Sequence, residues 1–176
     1  CMAQAENFAL IMNIGDYQAR GVPKLFGVQH DREVAKQIAR KIGTRDENIF
    51  VYKDAELTLE GLRKAFADMN ARIMPGDRVF MYYSGHGARV ESGASGTCSE
   101  GLVSVKGELL LDKELEEILK TMAQKADKVI FFLDACHSGG ITTRSAGKLP
   151  KYMPKSATIG SPSACRVVTN QLTRSV

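Results

Sequence analysis

Two runs of this chain, Val79-Phe80-Met81-Tyr82-Tyr83 and Val129-Ile130-Phe131-Phe132-Leu133, are apolar at every position. A strand with one face in water alternates apolar and polar residues, so a strand without that alternation needs cover on both faces. Central strands of a parallel sheet flanked by helices have such cover. Around these runs, shorter apolar stretches at Phe8 to Ile14 and Ile49 to Tyr52 alternate with amphipathic segments at 31–42, 58–73 and 112–125. The order reads βαβαβαβ, an α/β chain with a mostly parallel sheet between helix layers. In the second helical segment Leu59, Leu62, Phe66, Met69 and Ile73 step by three and four onto one face, and Thr58 stands at the N-cap. Leu115, Ile118, Leu119 and Met122 repeat the pattern in the third.

Length and composition fit one core. The chain has 176 residues, 44% of them hydrophobic, and no apolar run reaches membrane-spanning length. The first residues, Cys1 to Asn7, lack a basic-then-apolar signal pattern, so the expectation is a cytoplasmic protein without a membrane partner. Four cysteines, at 1, 98, 136 and 165, show neither C-x-x-C pairing nor zinc-ligand spacing, which argues against a disulfide framework or structural zinc and leaves thiols free to react. The net charge of +4 is unevenly placed. Residues 141–176 hold six basic side chains and no acid, interleaved with Pro150, Pro154 and Pro162, and the rest of the chain is slightly acidic. Only Tyr152 offers an aromatic stacking partner, so the segment reads as a solvated loop, with no nucleic-acid partner expected. Residues 88–101, rich in Gly and Ser, also read as an exposed loop.

Ligand chemistry in parallel sheets gathers at the carboxyl ends of strands. The two fully apolar runs lead directly into Ser84-Gly85-His86-Gly87 and Asp134-Ala135-Cys136-His137-Ser138-Gly139-Gly140. A thiol attacks a carbonyl only as thiolate, and the departing amine needs a proton, so a Cys and a His brought to one sheet edge make a nucleophile and acid–base pair. Cys136 and His86 are the candidates. The glycines beside them let backbone amides approach a developing oxyanion, with the N–H groups of Gly87 and Cys136 as donors. Taken singly, a strand-end Cys is more often a small buried hydrophobe and a His in a Gly-rich loop a solvated side chain.

Together the two motifs resemble those of metacaspases and bacterial orthocaspases, over roughly residues 7–140. The resemblance implies a caspase-hemoglobinase fold, a three-layer α/β/α sandwich, and peptide hydrolysis by a Cys136–His86 dyad with no third catalytic residue. On this reading residues 1–140 are the p20-type catalytic core. Residues 141–176 are a basic, Pro-containing linker toward the small-subunit region that family members carry further on. Asp134 stands where caspases that cleave after Asp have Gln, and a carboxylate there attracts a cationic side chain and repels an acidic one. The segment Leu25-Phe26-Gly27-Val28-Gln29-His30-Asp31 resembles the metacaspase Leu-x-Gly-Cys-x-Asn-Asp, with Val28 for Cys and His30 for Asn. Carried over, Asp31, Asp134 and Ser84 form an S1 pocket for Arg or Lys. By itself, Asp31 also reads as a helix N-cap or first-turn acid.

Many metacaspases bind calcium through clustered acids after the catalytic His. Here that stretch holds only Glu91 and Glu100, so no metal, cofactor or calcium requirement is expected. His137 is read as structural. The expected substrates are proteins or peptides with a basic P1 residue. Such an enzyme would process itself as a zymogen at Arg144, Lys148, Lys151, Lys155, Arg166 or Arg174, in the loop after its nucleophile. The alternatives are a clostripain-, gingipain- or legumain-like peptidase, and a pseudoprotease or scaffold of caspase fold.

Overall fold

The pattern of the parallel strands decides the layering. The computed structural model describes residues 5–92 and 97–135. The expectations for Cys136, His137, the six basic candidates for self-cleavage and the 141–176 linker therefore lie outside the described residues. Strands β1 (Asn7–Asn13), β2 (Ile49–Lys53), β3 (Arg78–Ser84) and β7 (Lys128–Asp134) form one all-parallel sheet in the order β2-β1-β3-β7. Helix α1 (Val28–Lys41) links β1 to β2, α2 (Leu59–Arg72) links β2 to β3, and α3 (Asp112–Ala123) precedes β7.

Alternate residues of the strands feed the two faces. Leu10, Met12 and Ile14, with Val79, Met81 and Tyr83, pack against Leu62, Phe66 and Met69 of α2 and Leu115 and Met122 of α3. Ala9 and Phe80 meet Ala39 of α1 on the opposite face, where Tyr82 and Ile130 join them half-buried. The result is the three-layer α/β/α arrangement expected of uninterrupted apolar strands. Thr58 caps α2 as its position suggests, its hydroxyl accepting from the Gly61 amide at 3.0 Å.

Two boundaries differ from the sequence reading. Helix α1 starts at Val28, three residues earlier than the apolar pattern indicates, because Gly27 turns the chain in the left-handed region (φ 101°) and its carbonyl accepts from His30 and Asp31. The described parts of the stretch 88–101, residues 88–92 and 97–101, are strands and not loop. Strands β4 (Gly87–Ser92) and β5 (Thr97–Val103) pair antiparallel, and β6 (Leu109–Leu111) adds a third strand. Ala88, Ser99, Glu100, Leu102 and Val103 are all buried. Small and polar residues take several positions in β4 and β5, where the backbone lies close against its neighbours. A Cβ at Gly101 would sit 2.7 Å from the Leu110 carbonyl oxygen, and the buried Glu100 carboxylate is met across the ladder by Arg89 at 2.6 Å.

Candidate active site

Strand register brings the candidate residues to one edge. Asn13, Ser84 and Asp134 end β1, β3 and β7 and are successive partners across the sheet. Counted by alternation, all three belong to the face that α1 covers. From the first turn of α1, Asp31 accepts a hydrogen bond from the Ser84 hydroxyl at 2.9 Å. Asp134 accepts one from the Tyr82 hydroxyl at 3.3 Å. Burial, then the charges of Asp134 and Asp31, push the Tyr82 hydroxyl far above its ordinary pKa, so it stays neutral and serves as a donor. Asp31, Ser84 and Asp134 are thus gathered at one place, and the helix-start role of Asp31 coexists with its bond to Ser84.

Tyr82 and Asn13 complete this row and were not singled out from sequence. Asn13 is 1% exposed, and neither end of its amide has a partner among the described residues. It borders a cavity of about 530 Å³ shared with Asp16, Lys24, Arg32 and Asp54.

His86 lies two residues beyond Ser84, in the turn between β3 and β4, and is fully buried. Its Nε2 is 2.8 Å from the Pro23 carbonyl oxygen. A carbonyl can only accept, so in the neutral ring Nε2 carries the hydrogen and Nδ1 keeps its lone pair. Nδ1 is buried and has no partner among the described residues. An imidazole held in this way is an oriented base with one nitrogen ready to take a proton. Pro23, which sequence reasoning missed, selects that nitrogen. Gly87 opens β4 opposite Leu102, directly after His86, and the second candidate oxyanion donor, Cys136, lies outside the described residues.

Gly85 answers to a different constraint. A Cβ there would stand 2.6 Å from the Tyr83 hydroxyl and 2.8 Å from that of Tyr17. Gly85→Ala should therefore cost about 1–3 kcal/mol of stability, as overpacking does, and displace the His86 turn. Thermal unfolding together with peptidase assays would check this; a variant matching the wild type in both would show that the turn has room.

The comparisons with known proteins agree with this architecture. A family model described as a caspase domain matches residues 6–168. The chain belongs to the caspase family. Within it, the similarity is to metacaspases. Metacaspase-6 of Arabidopsis thaliana is 26% identical over 141 residues, covering 75% of this chain and 38% of that protein. Metacaspase-4 of the same plant is 26% identical over 135 residues, covering 72% and 32%. The chain thus spans about a third of the length of the curated relatives it matches. A crystal structure of a protein from Geobacter sulfurreducens superposes with a TM-score of 0.63 at 24% identity, over 76% of this chain and 52% of that one, and shares the fold. This caspase domain has the caspase-hemoglobinase type of α/β architecture that the two motifs imply. No helix among its described residues is long and apolar enough to cross a membrane.

Proposed function

We propose that this caspase domain is the catalytic part of a cysteine endopeptidase of metacaspase type that cleaves after Arg or Lys, with Cys136 as nucleophile and His86 as base. The observation that carries the reading is the His86 imidazole, fixed through Nε2 to Pro23 with the Nδ1 lone pair unspent. Ser84 and Asp134 are partners on adjacent parallel strands, and His86 and Cys136 each follow two positions later. The strand ends that lead into the proposed base and nucleophile are thereby neighbours. His86 Nδ1 takes the thiol proton, the thiolate attacks the scissile carbonyl, and the imidazolium returns the proton to the departing amine. Water then attacks the acyl-enzyme with His86 again as base, and the amides of Gly87 and Cys136 receive the oxyanion.

The paired carboxylates of Asp31 and Asp134, oriented by the hydroxyls of Ser84 and Tyr82, supply the negative site for a cationic P1 side chain. Glu100, one of the two acids after His86, is already engaged by Arg89, which supports a reaction that needs no calcium. The test is hydrolysis of fluorogenic peptides that differ only in a P1 Arg, Lys or Asp, with and without chelator. Cleavage after Arg and Lys that ignores chelator is expected; cleavage after Asp, or activity only with calcium, would contradict the reading.

The same specificity makes Arg144, Lys148, Lys151, Lys155, Arg166 and Arg174 the candidate sites of self-cleavage, by which a zymogen would be processed. Intact mass spectra of the wild-type and Cys136→Ala proteins should differ by fragments ending in one of these residues. Spectra that differ only by the sulfur lost in the substitution would rule out autoprocessing. Proteins or peptides with basic P1 residues, in the cytoplasm, are the proposed substrates, and the small-subunit region of the same precursor the proposed partner.

A further inference from the structure

The imidazole of His86 is set by Pro23, but the backbone that carries it is set by two tyrosines no motif identifies. The Tyr17 hydroxyl accepts the His86 N–H at 2.6 Å, and the Tyr17 ring lies against the imidazole with centroids 4.8 Å apart and planes inclined by 51°. The Tyr83 hydroxyl lies 3.1 Å from the His86 carbonyl oxygen and 3.0 Å from that of Val103. The two hydroxyls lie together beneath the His86 turn, where a Cβ on Gly85 would meet both. The Tyr83 hydroxyl has a single hydrogen, shared between the two carbonyls. Both rings are buried, Tyr83 completely. The two hydroxyls therefore grip the N–H and the C=O of the same residue from beneath Gly85, where a Cβ would collide with both.

The segment that delivers Tyr17 is itself tied down. Asp54, with a positive φ of 43°, accepts the amides of Gly15 and Asp16 on one carboxylate oxygen at 2.9 and 3.0 Å. Leu25 N–H donates to the Gly15 carbonyl and Gln18 N–H to that of Val105, closing residues 15–25 into a loop that carries both Tyr17 and Pro23. Backbone strain at a non-glycine residue persists where the surroundings over-determine it, and here it lies at the anchor of the loop that holds the base.

We propose that Tyr17 and Tyr83 are positioning residues for the acid–base step: their hydroxyls, one on the N–H and one on the C=O of His86, fix its backbone so that Nδ1 stays where proton transfer needs it. The inference rests on His86 being the base. Neither tyrosine touches substrate on this account, so removing a hydroxyl should slow the chemistry and leave binding alone. In the full-length enzyme, Tyr17→Phe keeps the ring and removes the acceptor of the His86 amide. Its kcat should fall about 10- to 100-fold, the range that small misplacements of catalytic groups produce, with KM held within about twofold. Tyr83→Phe, which removes the donor to the His86 carbonyl but leaves the Tyr17 hydroxyl on the His86 amide, should give a smaller loss of the same kind.

Three controls separate the possible failures. Circular dichroism reports whether each variant folds, and His86→Ala run in parallel tests the base itself. Amide hydrogen exchange in the wild-type protein asks whether the His86 N–H is protected, a readout that needs no variant. Folded Tyr17→Phe and Tyr83→Phe enzymes with wild-type kcat, beside an inactive His86→Ala, would overturn the positioning role alone. An active His86→Ala would overturn the base and the inference with it. Exchange of the His86 amide as fast as that of an exposed loop residue would overturn the inference even if neither variant folds.

Discussion

His86→Ala should lower kcat/KM by about a thousandfold or more, close to 4 kcal/mol of transition-state stabilisation, with KM little changed. The size follows from what the side chain supplies. The imidazole is held through Nε2 at 2.8 Å from the Pro23 carbonyl oxygen, so its other nitrogen is a preoriented proton acceptor that water cannot replace in a buried site. Losing it removes both the route by which the thiol ionises and the acid that protonates the leaving amine. Burial of the residue makes folding a necessary control, and His86→Gln, closer in volume, is the second variant. Activity of either variant within tenfold of the wild type would remove His86 from the reaction.

The second large effect belongs to Asp134→Asn. The substitution keeps shape and can still accept from the Tyr82 hydroxyl, but it deletes one of the two carboxylates gathered around Ser84. Breaking a desolvated charge pair costs about 2–5 kcal/mol, so kcat/KM for an Arg peptide should drop about 30- to 1000-fold or beyond. Peptides with a neutral P1 should lose far less. The ratio between the two substrates is the quantity to read, because general damage to the fold lowers both rates together. An unchanged ratio would mean that the P1 side chain binds elsewhere.

How much of this was legible from the residues depended on whether the signal was local. The parallel sheet was, since uninterrupted runs such as Val129 to Leu133 allow few other placements, and α2 was, with its periodic face and Thr58 cap. Asp134 could be named from its charge beside the nucleophile motif, and Asp31 and Ser84 because the segments that carry them resemble those of metacaspases. The β4–β5–β6 sheet was not legible. Its strands hold Gly101, Ser99 and the Arg89–Glu100 pair in place of an apolar alternation, and the reason they pair lies in the close backbone of Leu110. Tyr17 and Pro23 were hidden for another reason. They stand 69 and 63 residues from His86 in sequence, on a loop without periodicity, and only the closed fold shows what their hydroxyl and carbonyl oxygens meet. The start of α1 was misplaced because it is marked by the backbone of Gly27, which a search for capping side chains passes over.

The most direct test of the central claim is labelling of the full-length protein with matched peptidyl chloromethyl ketones ending in Arg or Asp, followed by peptide mapping. One adduct is expected, on Cys136, formed rapidly by the Arg reagent and slowly by the Asp reagent, and lost when His86 is replaced. Equal labelling of Cys98 or Cys165, faster reaction with the Asp reagent, or labelling of Cys136 that is indifferent to His86→Ala would contradict it.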